Sequence, residues 1–222
     1  MHVYIDGESH FIRSEAAVKE VFGEGETLES IAEASNGLSE EDGWRVRCVR
    51  QCKFFWDCKA ITYDPKGRGR IKTAVRRFVY FTSFSGDDDA LHSLKVTLRE
   101  KGFEPRIVKE PSQLAKQREN VLRNCREIEK PKGVDIALAV RMLEDAQHNV
   151  FDECCLLTSD VDYISVIEAV QRMGKLVYVY GYRNGIGKNS KMEYVPDAFV
   201  DLAECMKRRK GKLALLKEGK EG

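Results

Sequence analysis

A three-layer α/β/α sandwich on a mostly parallel sheet of about five strands is the α/β fold this sequence predicts, on three observations. Apolar runs of three to five residues recur along the chain. They lack the polar alternation of a sheet with one wet face, so both faces are expected to be covered. Segments of helical spacing lie between them, and hairpin signals are few, so the connections read as crossovers between parallel strands.

Taken in order, Val3–Ile5 is the first strand and ends at Asp6-Gly7. Residues 14–60 read as helical in parts, with Val46, Val49 and Phe55 or Trp56 forming a broken apolar stripe that covers one sheet face. Tyr63-Asp64-Pro65-Lys66-Gly67-Arg68-Gly69-Arg70 is a glycine-rich, charged loop. Phe78–Phe81 is an aromatic and β-branched strand, followed by a helix start at Asp87-Asp88-Asp89. Leu91, Leu94 and Leu98 carry that helix to Lys101-Gly102, a good stop. Arg106–Val108 is the third strand. Leu114, Arg118, Val121, Leu122, Cys125 and Ile128 then describe an amphipathic helix that packs on the body or on a partner. Cys154–Leu157 and Leu176–Tyr180 are the last two strands, separated by a helix from about Tyr163 to Met173.

Composition narrows the function classes. With 222 residues the chain is read as one domain over 1–206, with a helical and loop elaboration at about 14–76 and a basic tail at 207–222. No apolar run approaches the ~18–20 residues of a membrane span, and the start lacks the layout of a secretion signal. Seven cysteines, an odd number with no C-x-x-C pair, suit reduced thiols. A cytoplasmic protein without membrane contact is therefore expected. The formal charge of +1 gives no global pull toward nucleic acid, so any such binding must use local patches.

The most informative feature is a set of aspartates at the ends of apolar runs. Asp6 follows the first strand, Asp135 sits in KGVDIALAVRML, and Asp160 and Asp162 sit in CCLLTSDVDY. Carboxylates at the C-terminal ends of parallel strands face the crevice where such folds bind ligands. Several together repel one another unless a hard cation lies between them, and oxygen-only sites suit magnesium or manganese. Taken singly, each has a plainer reading. Asp6-Gly7 can be a turn, Asp160 or Asp162 a helix cap, and Asp135 a first-turn acid.

VYIDGESHF, KGVDIALAVRML, LLTSDVDYISVIEAVQRMGKLVYVYG and YVPDAFVDL occur in an order and spacing that resemble the NYN domain, in the LabA-like branch of the PIN-like nuclease superfamily. The resemblance runs from residue 2 to about 203. It implies a five-stranded parallel core, a carboxylate cluster at its C-terminal edge, and RNA cutting that depends on one or two magnesium or manganese ions. Asp6, Asp135 and Asp160 are then the expected ligands and catalytic residues, with Asp162 a ligand or an orienter of one. Two positions depart from the family pattern: Ser9 stands where asparagine is common, and Arg141 where a further acid is common. Asp145 follows four residues beyond Arg141.

On the substrate side the expected contacts are Ser9, Ser159, Lys132, Arg141, Arg183 and Lys188, with Tyr182 stacking on an unpaired base. Single-stranded RNA is the expected partner, with a homodimer or protein contact through the helix around 114–128. The basic stretch Arg68, Arg70, Lys72, Arg76 and Arg77 reads as solvated surface. Asp87-Asp88-Asp89 reads as a helix N-terminus, and Cys48, Cys52 and Cys58 lack the spacing of a zinc knuckle. Scattered histidines give no support to a Ser/His/Asp or Cys/His hydrolase, and Glu8 stands where a haloacid-dehalogenase-type phosphatase needs a second aspartate. Two function classes follow: a metal-dependent endoribonuclease, or an inactive module of the same fold that binds RNA or a protein.

Overall fold

The computed structural model describes residues 1–27, 30–31, 46–49, 53–56, 75–109, 133–188 and 190–207, with 46–49 and 53–56 described as backbone alone. Strand β1 (His2–Asp6) runs straight into helix α1 (Gly7–Phe22). A separate antiparallel pair, β2 (Val46–Val49) and β3 (Lys53–Trp56), precedes β4 (Arg77–Phe84). Then come α2 (Asp88–Glu100), β5 (Glu104–Lys109), α3 (Gly133–Gln147) and β6 (Glu153–Leu157). A 3₁₀ turn (Val161–Tyr163) leads into α4 (Ile164–Arg172), followed by β7 (Leu176–Gly181), the short α5 (Arg183–Ile186) and β8 (Ala198–Asp201).

Six strands form one all-parallel sheet in the order β5-β4-β1-β6-β7-β8. Alternation along the strands explains the three layers. Val3 and Ile5 face Ala17, Val18 and Val21 of α1 and Leu94 and Leu98 of α2. Tyr4, Val79 and Phe81 face the other way, onto Leu138 and Met142 of α3 and Ile167 and Val170 of α4. Each such side chain, taken fully out of water, contributes about 1.5–3 kcal/mol. Cys154 and Cys155 are fully buried on opposite faces, where burial raises both thiol pKa values and leaves them small hydrophobes.

The α/β/α architecture is the expected one, and all five expected strands are present. The sheet carries a sixth, β8, within the YVPDAFVDL segment. The 46–56 region departs from the helical reading: its valines and large aromatics form two extended runs three residues apart, and residue types that favour strands outweigh the weak helical stripe. Asp87 caps α2 by accepting the Ala90 N–H at 2.7 Å, and Asp88 pairs with Lys109, as a helix N-terminus requires. The expected helix over 114–128, the loop 63–70, Lys132, the tail beyond 207 and the side chains of Cys48, Cys52 and Cys58 lie outside the described residues. Among the described residues no helix is long and apolar enough to cross a membrane.

Candidate active site

The strand order sets where a site can form. From β1 the chain builds outward through β4 to β5, then returns to the other side of β1 to lay down β6, β7 and β8. The C-terminal ends of β1 and β6 therefore flank the topological switch point, the crevice in which open parallel sheets take ligands. Asp6 is the last residue of β1 and Leu157 the last of β6.

Asp6 is 2% exposed and works as the N-cap of α1, accepting the Ser9 N–H at 3.2 Å. Its other oxygen accepts the Thr158 hydroxyl at 2.9 Å. The same Thr158 oxygen accepts the Asp160 N–H at 3.1 Å, so one hydroxyl ties the two carboxylate-bearing loops together. Asp160 is half-buried and accepts the Asp162 N–H at 2.9 Å. Asp135, in the first turn of α3, arrives from the opposite side. The buried Tyr163 donates its phenol to Asp135 at 3.3 Å.

The electrostatics report convergence. Burial pushes the Asp6 carboxyl up to about 6; the bonds from Ser9 and Thr158 oppose the rise, and the charges of Asp135 and Asp160 add to it. The Tyr163 phenol is raised by burial first, then by the charges of Asp6, Asp135 and Asp160. One hydroxyl thus senses all three carboxylates. The donor set consists of carboxylates and hydroxyls without sulfur or imidazole, which in kind fits a hard divalent cation. Among the described residues no group of three or more His, Cys, Asp or Glu side chains stands closed at metal-ligand spacing.

The remaining expected residues fall into place unevenly. Asp162 is exposed and contributes its backbone N–H to Asp160. The Ser9 hydroxyl accepts the Ser159 N–H at 3.2 Å, and the buried Ser159 hydroxyl accepts the Tyr182 N–H at 2.8 Å, so both pin the loops around the carboxylates. Arg141 points to Asp145, with Nε 2.8 Å from the carboxylate, and that carboxylate also accepts the Tyr4 hydroxyl at 2.7 Å. Six residues separate Arg141 from Asp135, about 9 Å along a helix axis. Arg183 and Lys188 are exposed in the segment after β7, where Arg183 lies 3.7 Å from Glu193 and 3.8 Å from Asp201. Base stacking by Tyr182 is excluded: its side chain is fully buried, with its hydroxyl 2.6 Å from that of Ser14.

Two contributors escaped the sequence reading. Thr158 and Tyr163 lie inside LLTSDVDY, and their signal was spacing: two residues before Asp160 and three after it. Asp201 ends β8 two strands away from β6, half-buried, taking the Ala203 N–H at 3.0 Å.

Close packing holds the Thr158–Asp160 loop in register. A β-carbon on Gly181 would stand 2.3 Å from the Thr158 carbonyl oxygen, a backbone atom that cannot swing aside. Gly181→Ala is expected to lower stability by about 2 kcal/mol through this overpacking, read as a fall in the denaturation midpoint. A midpoint equal to wild type would show the loop to be free to move.

A family model described as the NYN domain matches residues 2–203. Comparison with curated proteins returns no match. Among solved structures, the chain is similar to a protein of unknown function from Vibrio parahaemolyticus, at 17% identity and a TM-score of 0.47, covering 90% of this chain and 91% of that one.

Proposed function

The chain belongs to the NYN domain family, within the PIN-like nuclease superfamily, and from that premise we propose a metal-dependent endoribonuclease of the LabA-like branch, with its centre at Asp6, Asp135 and Asp160. The observation that supports the reading is that Asp6, Asp135 and Asp160 come from three separate elements beside the switch point, with Thr158 bonded to both Asp6 and the Asp160 N–H, Tyr163 bonded to Asp135, and the charges of Asp135 and Asp160 adding to the rise of the Asp6 carboxyl. Asp6, Asp135 and Asp160 would hold a divalent cation, which would supply positive charge against the scissile phosphate and lower the pKa of a bound water.

The protein's own groups orient and hold. Thr158 fixes Asp6 relative to Asp160, and Tyr163 keeps the Asp135 carboxylate turned inward. Asp162 secures Asp160 through its backbone N–H. Arg183 and Lys188, exposed on the same edge, suit contact with the phosphates of a single strand, which positions RNA without reading its sequence. The place of Arg141 at Asp145 supports the reading, because its guanidinium is engaged away from the cation's position.

The test is cleavage of an end-labelled single-stranded RNA with manganese, magnesium or EDTA. Wild type is expected to cut only with the cation, and Asp160→Asn to lose more than about 100-fold, since even groups that merely orient ligands cost 10–100-fold. A parallel melt with manganese is expected to raise the wild-type midpoint, because a ligand of the folded state stabilises it by mass action. Cutting that survives EDTA and Asp160→Asn would refute the assignment. The second reading, an inactive RNA- or protein-binding module, draws on the absence of a closed ligand group among the described residues. RNA bound but uncut in every cation would favour it.

A further inference from the structure

The opposite edge of the sheet carries a second feature that the carboxylate site does not use. A cavity of about 550 Å³ opens at the N-terminal ends of β4 and β5, and four arginines line it: Arg76, Arg77, Arg99 and Arg106. Glu104 is the one acid in the lining, leaving a formal excess of three positive charges. Glu104 holds Arg77 at 3.2 Å and Arg106 at 2.6 Å. Arg76 and Arg99 make no ion pair among the described residues, and both are exposed. Phe78, half-buried at the start of β4, supplies an apolar wall.

Four like charges around one concavity repel one another, and a single carboxylate offsets only part of that. Surface arginines that merely solvate a fold have no reason to converge on a cavity of ligand size. The guanidinium fork matches two oxygens of a phosphate, which a point-like ammonium cannot do. The register shows how far the cavity lies from the carboxylates. Arg77 pairs with His2 at the start of β1, and Asp6 lies four residues on, roughly 13 Å along the strand.

We propose that this arginine-lined cavity at the N-terminal edge of β4 and β5 binds the phosphates of a nucleotide, either free or within an RNA strand. The two sources share one chemistry: clustered phosphate oxygens for Arg76 and Arg99, with Arg77 and Arg106 recruited from Glu104, and a base or sugar against Phe78. The site is separate from the carboxylate edge, so it stands or falls independently of the ribonuclease reading.

The test is equilibrium binding of two probes, ATP by calorimetry and a fluorescein-labelled 12-nucleotide RNA by anisotropy, both in EDTA so that no cation recruits ligand to the carboxylates. At least one probe is expected to bind the wild type. The double variant Arg76→Ala/Arg99→Ala should weaken that probe roughly tenfold or more, the loss expected for hydrogen bonds to charged groups. It removes no ion pair within the described residues, so its melting should stay at wild type. Glu104→Gln should tighten the same probe, because Arg77 and Arg106 are then released to the ligand. For RNA, the slope of log affinity on log salt should fall by about 1.4 in the double variant. ATP responding alone would make the ligand a free nucleotide, and RNA responding alone would make the cavity a remote anchor for the strand; either supports the proposal. Binding of neither probe, or binding unmoved by both the double variant and Glu104→Gln, would overturn it.

Discussion

Asp6→Asn is expected to lose RNA cleavage by more than about 100-fold while making the protein more stable than wild type. The two effects share one cause. Asp6 is almost fully buried, and burial pushes its carboxyl up to about 6 from the ordinary 3.8. Burial opposes its charge, and Asp135 and Asp160 oppose it further. The ionised form needed to hold a cation is therefore the form the surrounding protein groups tolerate least. Asparagine removes the charge but keeps only one of the two acceptor oxygens, so the Ser9 N–H or the Thr158 hydroxyl loses its acceptor, as it does when the acid itself is protonated, and part of the gain is offset. Near pH 7.5 in EDTA the gain should be about 1–3 kcal/mol, or roughly 2–12 °C in melting temperature for a domain of this size.

The sign can be checked by pH. The folded-state pKa of Asp6 lies above its unfolded value, so the folded protein binds the proton more readily than the unfolded chain. Above pH 6 the ionised group carries its full penalty. As pH falls from 6 toward 3.8 protonation relieves it, and below that the contribution is constant. The stability gap between Asp6→Asn and wild type should therefore be widest above pH 6 and close by about pH 4. A gap that persists at pH 4 would mean that it does not arise from the charge on Asp6, and a variant less stable than wild type at pH 7.5 would mean that hydrogen bonds to Asp6 dominate over its burial. Manganese should narrow the gap at neutral pH by stabilising the wild type alone.

How much of this was legible in the sequence depends on what each residue's signal encodes. Strands β1, β4, β6 and β7 were readable because a strand buried on both faces leaves an unbroken apolar run, whereas β5, an edge strand without a buried residue, was marked only by Ile107 and Val108. The edge strand β8 was not readable: Ala198–Asp201 alternates buried and half-buried residues and follows Pro196. The placement of Asp6 and Asp160 followed from strand ends, a one-dimensional signal. That Asp160 turns inward while Asp162 faces solvent depends on the 3₁₀ turn at Val161–Tyr163, which composition does not announce. Tyr182 looked like a stacking residue because aromatics after a strand often are; its burial follows from Ser14 on α1, 168 positions away. Arg141 was ambiguous for the same reason. A helix position fixes a face, and the partner across that face comes from another part of the chain.

That partner is the subject of the second large effect. Asp145→Ala is expected to cost about 3 kcal/mol of stability, a fall in melting temperature of roughly 6–12 °C, with cleavage per folded molecule nearly unchanged. Asp145 is 6% exposed and one carboxylate oxygen serves two donors, the fully buried Tyr4 hydroxyl at 2.7 Å and Arg141 Nε at 2.8 Å. Removing it strands a hydroxyl on the central strand, with no route to water, beside a guanidinium that has lost its counter-charge. Tyr4→Phe should cost less, about 1 kcal/mol, because the Asp145–Arg141 pair survives it. The double variant should cost less than the two single losses together, since the stranded hydroxyl is gone. The cycle also decides what Arg141 does. If it serves only Asp145, then Arg141→Met should weaken the fold and leave the Michaelis constant for RNA alone. A rise in that constant with stability intact would return Arg141 to the substrate. It would also mean that the 2.8 Å bond to Asp145 yields to a phosphate when RNA binds.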